Sequence, residues 1–109
     1  MKEVCHKALF ILDEVMCGMG RTGTLHAWQA EDVTPDVQTL GKGFGGGYEP
    51  ISVVQASKKI VKVLTESSEE FIHGLTFQAM PLQAAAALKV QKIIKKDKLM
   101  ENVSKRVLI

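Results

Sequence analysis

A chain of 109 residues can form one domain or a part of a larger one. Hydrophobic residues make up 46% of it and charged residues 24%, proportions that exclude a disordered or a collagen-like protein. The net charge of +2 is too small to indicate a nucleic acid or a membrane surface as a partner. The longest uncharged run, residues 71–88, contains His, Gly, Pro and Gln, so it does not predict a membrane-spanning helix.

The cysteines and the N-terminal residues bear on the compartment. Cys5 and Cys17 are too few for a disulfide framework, and reduced thiols are the expected state. The first apolar run, residues 8–12, is too short for a signal peptide and follows the acidic Glu3. We therefore expect a cytoplasmic protein. A mitochondrial location stays open, because a targeting segment would precede residue 1.

Short apolar runs predict the strands. Residues 8–12 form a continuous apolar run that ends at Asp13, which is the pattern of a buried parallel strand. Residues 37–40 and 51–54 predict two further strands. Residues 1–6 have the pattern of a helix end, although they stand very close to the first strand.

The second half of the chain predicts helices. A short helix is expected from Ser57 to Leu64. Pro81 suits the first position of a longer helix, and Asp97 can cap another one after it. Apolar residues follow Pro81 at spacings of three and four: Leu82, Ala86, Val90, Ile93 and Ile94. Strands mixed with helices predict an α/β fold with mostly parallel pairing and C-terminal helices.

Two charged residues stand where chemistry could take place. Lys42 lies between Gly41 and Gly43, so its side chain has an adaptable backbone beneath it and little bulk around it. Such a lysine can bind a phosphate or form a Schiff base, and a solvated loop lysine is the alternative. Asp13 is expected to be partly buried and to need a cationic or hydrogen-bonding partner. A strand-end aspartate that caps a loop is the alternative there.

Other motifs in the glycine-rich region carry less weight. Segments that begin at Gly18 and Gly41 fit the string G-x-G-x-x-G, but neither turns directly from a strand into a helix. A nucleotide-binding βαβ unit is therefore the least favoured alternative. The cysteine and histidine spacings within residues 5–26 fit no zinc ligand set, so no metal site is expected.

Three sequence blocks carry a more specific signal. They are residues 9–23 (LFILDEVMCGMGRTG), residues 35–47 (PDVQTLGKGFGGG), and residues 73–78 (HGLTFQ) with Pro81. In their order and in their spacing they resemble the class III aminotransferases, which are pyridoxal-5′-phosphate (PLP) enzymes of fold type I. The resemblance covers essentially the whole chain. It therefore outweighs any single motif.

The resemblance implies PLP as the cofactor and assigns roles to four residues. Lys42 would form the Schiff base and later shuttle protons, while Asp13 would keep the pyridine nitrogen protonated. Val15 would pack on the face of the ring. Thr76 would bind the phosphate, usually across a dimer interface. Many relatives carry Gln at the position of Met16, and a methionine cannot donate the corresponding hydrogen bond to the ring hydroxyl.

The resemblance also implies a domain and a reaction. Residues 1–109 would be a partial PLP-binding large domain, without its N-terminal part and without the C-terminal small domain. The expected reaction moves an amino group between an amine or amino acid and a 2-oxo acid, in a homodimer. We expect the isolated chain to be inactive. A non-catalytic fragment, or another PLP reaction such as that of a decarboxylase or an aminomutase, remains open.

Overall fold

Three short strands form one sheet in the computed structural model, which describes residues 8–67 and 72–107. Strand β1 (Ile11–Asp13) pairs in parallel with β2 (Val37–Leu40), and β2 pairs antiparallel with β3 (Val53–Ala56). The strand order is therefore the same as the order along the chain. The α/β class predicted from the sequence is confirmed.

The pairing of the strands differs in one respect from the expectation. One pair is parallel and one is antiparallel among the described residues, whereas mostly parallel pairing was expected. The chain runs from β2 to β3 without an α-helix, and a parallel crossover usually needs one. The sheet is therefore mixed.

The predicted strand positions hold to different degrees. The prediction for residues 37–40 coincides with β2, while β1 is only the last part of the predicted run together with Asp13. Strand β3 begins at Val53 rather than at residue 51. Val53 pairs with Leu40, the last residue of β2, so the two residues before Val53 have no backbone partner in the ladder.

Three α-helices lie in the described part of the chain: α1 (Lys58–Glu66), α2 (Pro81–Lys96) and α3 (Leu99–Val107). Pro81 is the first residue of α2, as predicted. Asp97 does not cap α3, because its backbone N–H donates to the Ile93 carbonyl and so ends α2 instead. None of these helices is long and apolar enough to cross a membrane. The helix end predicted for residues 1–6 lies outside the described residues.

Few apolar side chains are buried. Among the described residues, Leu40 and Ala87 are the hydrophobic residues that are shielded from solvent almost completely. Many large apolar side chains remain exposed, including Ile11, Val54, Ile72 and Phe77. The described part measures 49 × 38 × 18 Å, so it is a thin slab. A surface this rich in exposed apolar groups is typical of one that packs against other protein.

Candidate active site

Asp13 ends β1 at the edge of the sheet. Its Oδ1 atom accepts hydrogen bonds from the Val15 backbone N–H and from the Thr39 hydroxyl, both at 3.0 Å. No described residue donates to its Oδ2 atom. The carboxyl group is exposed, so the expectation of partial burial was wrong. The expected hydrogen-bonding partners are present, because the neighbouring strand and the following turn supply them.

The same hydrogen bonds control the charge of Asp13. The backbone N–H of Val15 lowers the pKa of the Asp13 carboxyl below its ordinary value of 3.8. The Thr39 hydroxyl lowers this pKa further, desolvation opposes both hydrogen bonds, and the positive charge of Lys42 adds the smallest lowering effect. Asp13 is therefore an ionised acceptor at neutral pH, with one oxygen free to bind a cationic group.

Lys42 follows β2 and opens a short 3₁₀ helix, Lys42–Phe44. Its backbone φ of +41° lies in the left-handed region, which is uncommon for a residue other than glycine. Its side chain is exposed, and its charge acts on the Asp13 carboxyl. The structure thus brings these two predicted site residues within electrostatic range of each other.

The turn of residues 15–19 packs beside Lys42. A methyl group placed on Gly41 would lie 3.4 Å from Val15 Cγ1, and one placed on Gly43 would lie 3.5 Å from Met19 Cβ. The turn therefore touches the residues on both sides of Lys42. This contact explains why Val15 stands close to Lys42 in space although the sequence separates them widely.

The predicted site residues border different cavities. Lys42 lines a cavity of about 590 Å³ with Arg21, next to α2 and α3, and another of about 610 Å³. Thr76 lines a cavity of about 690 Å³, which shares residues 50–52 with the second of these. Asp13 faces a further cavity of about 660 Å³, beside Trp28. Within one chain, Thr76 and Lys42 thus border neighbouring cavities, and Asp13 borders another one.

A buried carboxylate next to Asp13 was missed by the sequence analysis. Glu14 is only 3% exposed. Its Oε2 atom accepts hydrogen bonds from the Ala27 backbone N–H at 3.0 Å and from Gln38 Nε2 at 2.8 Å. Its Oε1 atom accepts one from the Trp28 backbone N–H at 2.9 Å. The signal that was available is Gln38, a polar residue that alternates onto the same strand face as the apolar Leu40.

Gln38 links Glu14 to two rings. Its Nε2 atom lies 2.9 Å from His26 Nδ1, and its Oε1 atom accepts from the Trp28 indole N–H at 3.2 Å. The two rings are stacked, with centroids 5.5 Å apart. Because Gln38 donates, His26 Nδ1 is the acceptor in the neutral ring. We call these four residues the Glu14 network: Glu14, His26, Trp28 and Gln38.

The chemistry of this donor set fits a cofactor that has a cationic ring nitrogen and an aldehyde. The free Oδ2 atom of Asp13 can accept from a ring N–H, and the exposed Lys42 amine can attack an aldehyde carbon. In the described part of the chain, no three His, Cys, Asp or Glu side chains converge to hold a metal ion.

Comparison with protein families gives a match over almost the whole chain. The profile of the family "Aminotransferase class-III" matches residues 1–108. An aminotransferase of Gibberella zeae is 51% identical over 107 residues, which are 96% of this chain and 21% of that protein. Ornithine aminotransferase 2 of Staphylococcus aureus is 45% identical over 96 residues, which are 86% of this chain and 23% of that protein.

Solved structures give the same picture. A transaminase from the marine bacterium Virgibacillus superposes with a TM-score of 0.88 at 45% identity, over 92% of this chain and 23% of that one. The taurine:2-oxoglutarate aminotransferase of Bifidobacterium kashiwanohense, solved with PLP and glutamate, has a TM-score of 0.85 at 37% identity. That match covers 91% of this chain and 22% of the other. The chain thus spans between a fifth and a quarter of the length of these relatives.

Proposed function

The chain belongs to the class III aminotransferase family, and on that premise we propose that the protein is a PLP-dependent transaminase. The reaction moves an amino group between an amine or amino acid and a 2-oxo acid. One observation carries the proposal: the ionised Asp13 carboxylate keeps one oxygen free within electrostatic range of the glycine-flanked Lys42. The family and the names of the relatives support the same type of reaction.

Each of these two residues has a defined task in the proposal. Bound PLP supplies the electron sink for the carbon atom that loses a proton. The Lys42 amine would hold PLP through its aldehyde carbon, and as a neutral amine it would carry protons to and from the reacting carbon. Asp13 accepts a hydrogen bond from the ring nitrogen and, because it stays ionised, it keeps the proton on that nitrogen.

Three further residues complete the proposed site. Val15, which packs beside Gly41, bounds one face of the ring. Thr76 binds the phosphate in the neighbouring subunit of a homodimer, and its exposed position in a separate cavity is compatible with that task. Met16 is 68% exposed and has no donor group, so it leaves the ring hydroxyl without a hydrogen bond at this position.

We also propose that residues 1–109 are part of a PLP-binding large domain and that they are inactive alone. The coverage of 21–24% of the relatives supports the first statement. The exposed apolar side chains on the sheet and in residues 72–80 support the second, because a catalytic site needs a rigid surrounding. A preparation of the isolated chain with transaminase activity well above that of Lys42→Ala would contradict the second statement.

Covalent capture tests the cofactor assignment. The 109-residue chain is mixed with PLP, borohydride reduces the C=N bond to a secondary amine, and peptide mapping locates the label. We expect the label on Lys42 to exceed that on Lys58 and Lys89, which are exposed helix lysines. The Lys89→Ala variant is the matched control and should keep the labelling of Lys42. Equal labelling of all three lysines would refute the assignment.

A further inference from the structure

We propose that Glu14 is a positioning residue for Lys42 and that Gln38 is the buried partner through which it acts. The inference rests on the proposed function only in that it takes Lys42 as the cofactor-binding lysine. Neither Glu14 nor Gln38 reaches the exposed side of the site, since each is 3% exposed. Their effect must therefore pass through the backbone.

The ends of β1 and β2 are joined on both faces of the sheet. Successive side chains of a strand point to opposite faces. Asp13 and Thr39 form a hydrogen bond on one face, while Glu14 and Gln38 form one on the other. The Glu14 N–H also donates to the Thr39 carbonyl at 3.0 Å. The position of Asp13 is thus tied to the Glu14 side chain on the opposite face.

The Glu14 carboxylate is the common acceptor for three donors from two separate pieces of chain. It receives the backbone N–H groups of Ala27 and Trp28 from a second 3₁₀ helix, Ala27–Glu31, and the Gln38 side chain from β2. A buried carboxylate that lost one of these donors would leave polar groups unpaired away from water, which is costly. Glu14 therefore determines how the loop between β1 and the 3₁₀ helix returns to the sheet.

That loop folds directly over Glu14 and reaches Lys42. The Gly18 N–H donates to the Glu14 carbonyl at 3.0 Å, and a methyl group on Gly18 would lie 3.3 Å from Glu14 Oε2. The turn that Gly18 belongs to packs against Gly41 and Gly43, on either side of Lys42. A non-glycine residue with φ of +41° persists only where its surroundings hold it. The 15–19 turn, fixed by Glu14, supplies that support.

The hydrogen-bond pattern requires a carboxylate and not merely a polar residue. A glutamine at position 14 has one oxygen and one NH₂ group. If the NH₂ group took the place of Oε1, it would face the Trp28 N–H, which is also a donor. If it took the place of Oε2, it would face the Ala27 N–H and the Gln38 NH₂ group, which are both donors. Glutamine thus keeps at most two of the three hydrogen bonds and sets a donor against a donor.

Two variants and two matched controls test the inference in the 109-residue chain. Glu14→Gln removes the charge at constant size, and Gln38→Glu sets a second carboxylate against Glu14. Glu31→Gln and Gln55→Glu are the same changes at exposed positions. Gln55 lies directly opposite Gln38 in the register of β2 and β3, so its variant tests the strand pair without the network.

Two readouts separate positioning from folding. Trp28 is the only tryptophan of the sequence, so its fluorescence reports on the Glu14 network without any cofactor. Lysine labelling reports on the site through two ratios. The first is the ratio of label on Lys42 to label on Lys58 after treatment with PLP and borohydride. The second is the same ratio after acetylation with acetic anhydride. Labelling is compared at conditions where far-UV circular dichroism shows the same helix content. Loss of fold alone would not change the acetylation ratio selectively at Lys42 in such samples.

We expect Glu14→Gln and Gln38→Glu to shift the Trp28 emission to longer wavelength and to change both ratios. The fall in PLP capture at Lys42 should be about tenfold, which corresponds to about 1.4 kcal/mol, the size of one lost buried hydrogen bond. The controls should match the wild type. In the double variant Glu14→Gln with Gln38→Glu, one carboxylate–amide pair is restored, and part of the labelling ratio should return.

The outcomes distinguish this inference from the proposed function. A shifted Trp28 emission with unchanged Lys42 ratios would overturn the positioning role. Wild-type chain that captures no PLP at Lys42 would refute the proposed function, and the acetylation ratio would still decide whether Glu14 positions Lys42. If the single variants do not fold, Trp28→Phe, which removes the indole N–H that Gln38 accepts together with part of the ring that stacks on His26, must lower the Lys42 ratio. An unchanged ratio there would also overturn the inference.

Discussion

Two regions of the molecule carry the proposed site, and they are built in different ways. In the Lys42 corner, residues 13–19 and 38–46, hydrogen bonds and close glycine contacts join segments that are distant in the sequence. In the Thr76 segment, residues 72–80, every residue is exposed. There, the hydrogen bonds between Leu75 and Gln78 join residues three positions apart.

The difference between the two regions indicates which part of the proposed site a single chain can form by itself and which part it cannot. Contacts among the described residues fix the geometry of the Lys42 corner. Substitutions in this corner should therefore have measurable effects in the isolated chain. The Thr76 segment exposes Ile72, Leu75 and Phe77, apolar side chains that gain stability only when other protein covers them. Its proposed task should therefore become measurable only in a homodimer of the whole protein.

The largest expected effect is that of Lys42→Ala. This variant removes the amine that we propose as the one that holds the cofactor aldehyde, so PLP capture by the chain should fall to the level of its surface lysines. Borohydride reduction and peptide mapping provide the measurement, with Lys89→Ala as the control. Residual capture on a neighbouring lysine at the wild-type level would show that the Lys42 corner is not a selective site.

Gly45→Ala should destabilise the Lys42 corner, because the added methyl group has no space there. A methyl group there would overlap the Glu49 carbonyl and lie 2.9 Å from Ile51 Cγ2, which should lower the free energy of unfolding by about 1–3 kcal/mol. Gly74→Ala in the Thr76 segment is the matched change, since its nearest neighbour would be 3.9 Å away. We expect it to be neutral or slightly stabilising. Urea denaturation measures both, and equal losses would contradict the contrast between the two regions.

Asp13→Asn should change how stability depends on pH. The pKa of Asp13 is lowered on folding, so the unfolded chain binds a proton at higher pH than the folded chain does. Asp13 therefore contributes stability above its ordinary pKa of 3.8, and this contribution is lost as the pH falls below that value. As the pH falls from 5, the urea midpoint of the variant should decrease less than that of the wild type. Identical acid slopes would mean that the Val15 and Thr39 hydrogen bonds do not act in solution.

The smallest expected effect is that of Thr76→Ala in the isolated chain. Thr76 is exposed and borders a cavity that Lys42 does not line, so PLP capture at Lys42 should stay within about twofold of the wild type. In the homodimer that we propose for the whole protein, the same change should weaken PLP binding. A large effect in the isolated chain would place Thr76 in the same site as Lys42 and remove the difference between the two regions.

The sequence predicts the order of the elements and the Lys42 corner rather well. Strand β2 and the start of α2 lie where the apolar pattern and Pro81 indicate. The residues that follow parallel strands meet at one edge of a sheet, which is why Asp13 and Lys42 come into range of each other. The assignment of Lys42, Asp13, Val15 and Thr76 to a PLP site stays a prediction.

Other features of the site lie beyond a reading of the sequence. Asp13 and Glu14 are adjacent and equally acidic, and nothing local shows that the first is exposed and the second almost fully buried. That difference depends on where residues 26–28 return to the sheet, since Glu14 needs their backbone N–H groups as donors. A long loop can close in many ways, and its path is selected by contacts that form only in the folded chain.

The sequence by itself determined the α/β class, the order of the strands and helices and the family, because apolar periodicity, glycine positions and ordered motifs are properties of the chain. Only the tertiary structure decided that the sheet is mixed and that Glu14 is the buried acid. It also decided that the 15–19 turn supports Lys42 on both sides. These features depend on distances between residues far apart in sequence, and such distances are set by packing and hydrogen bonding in three dimensions.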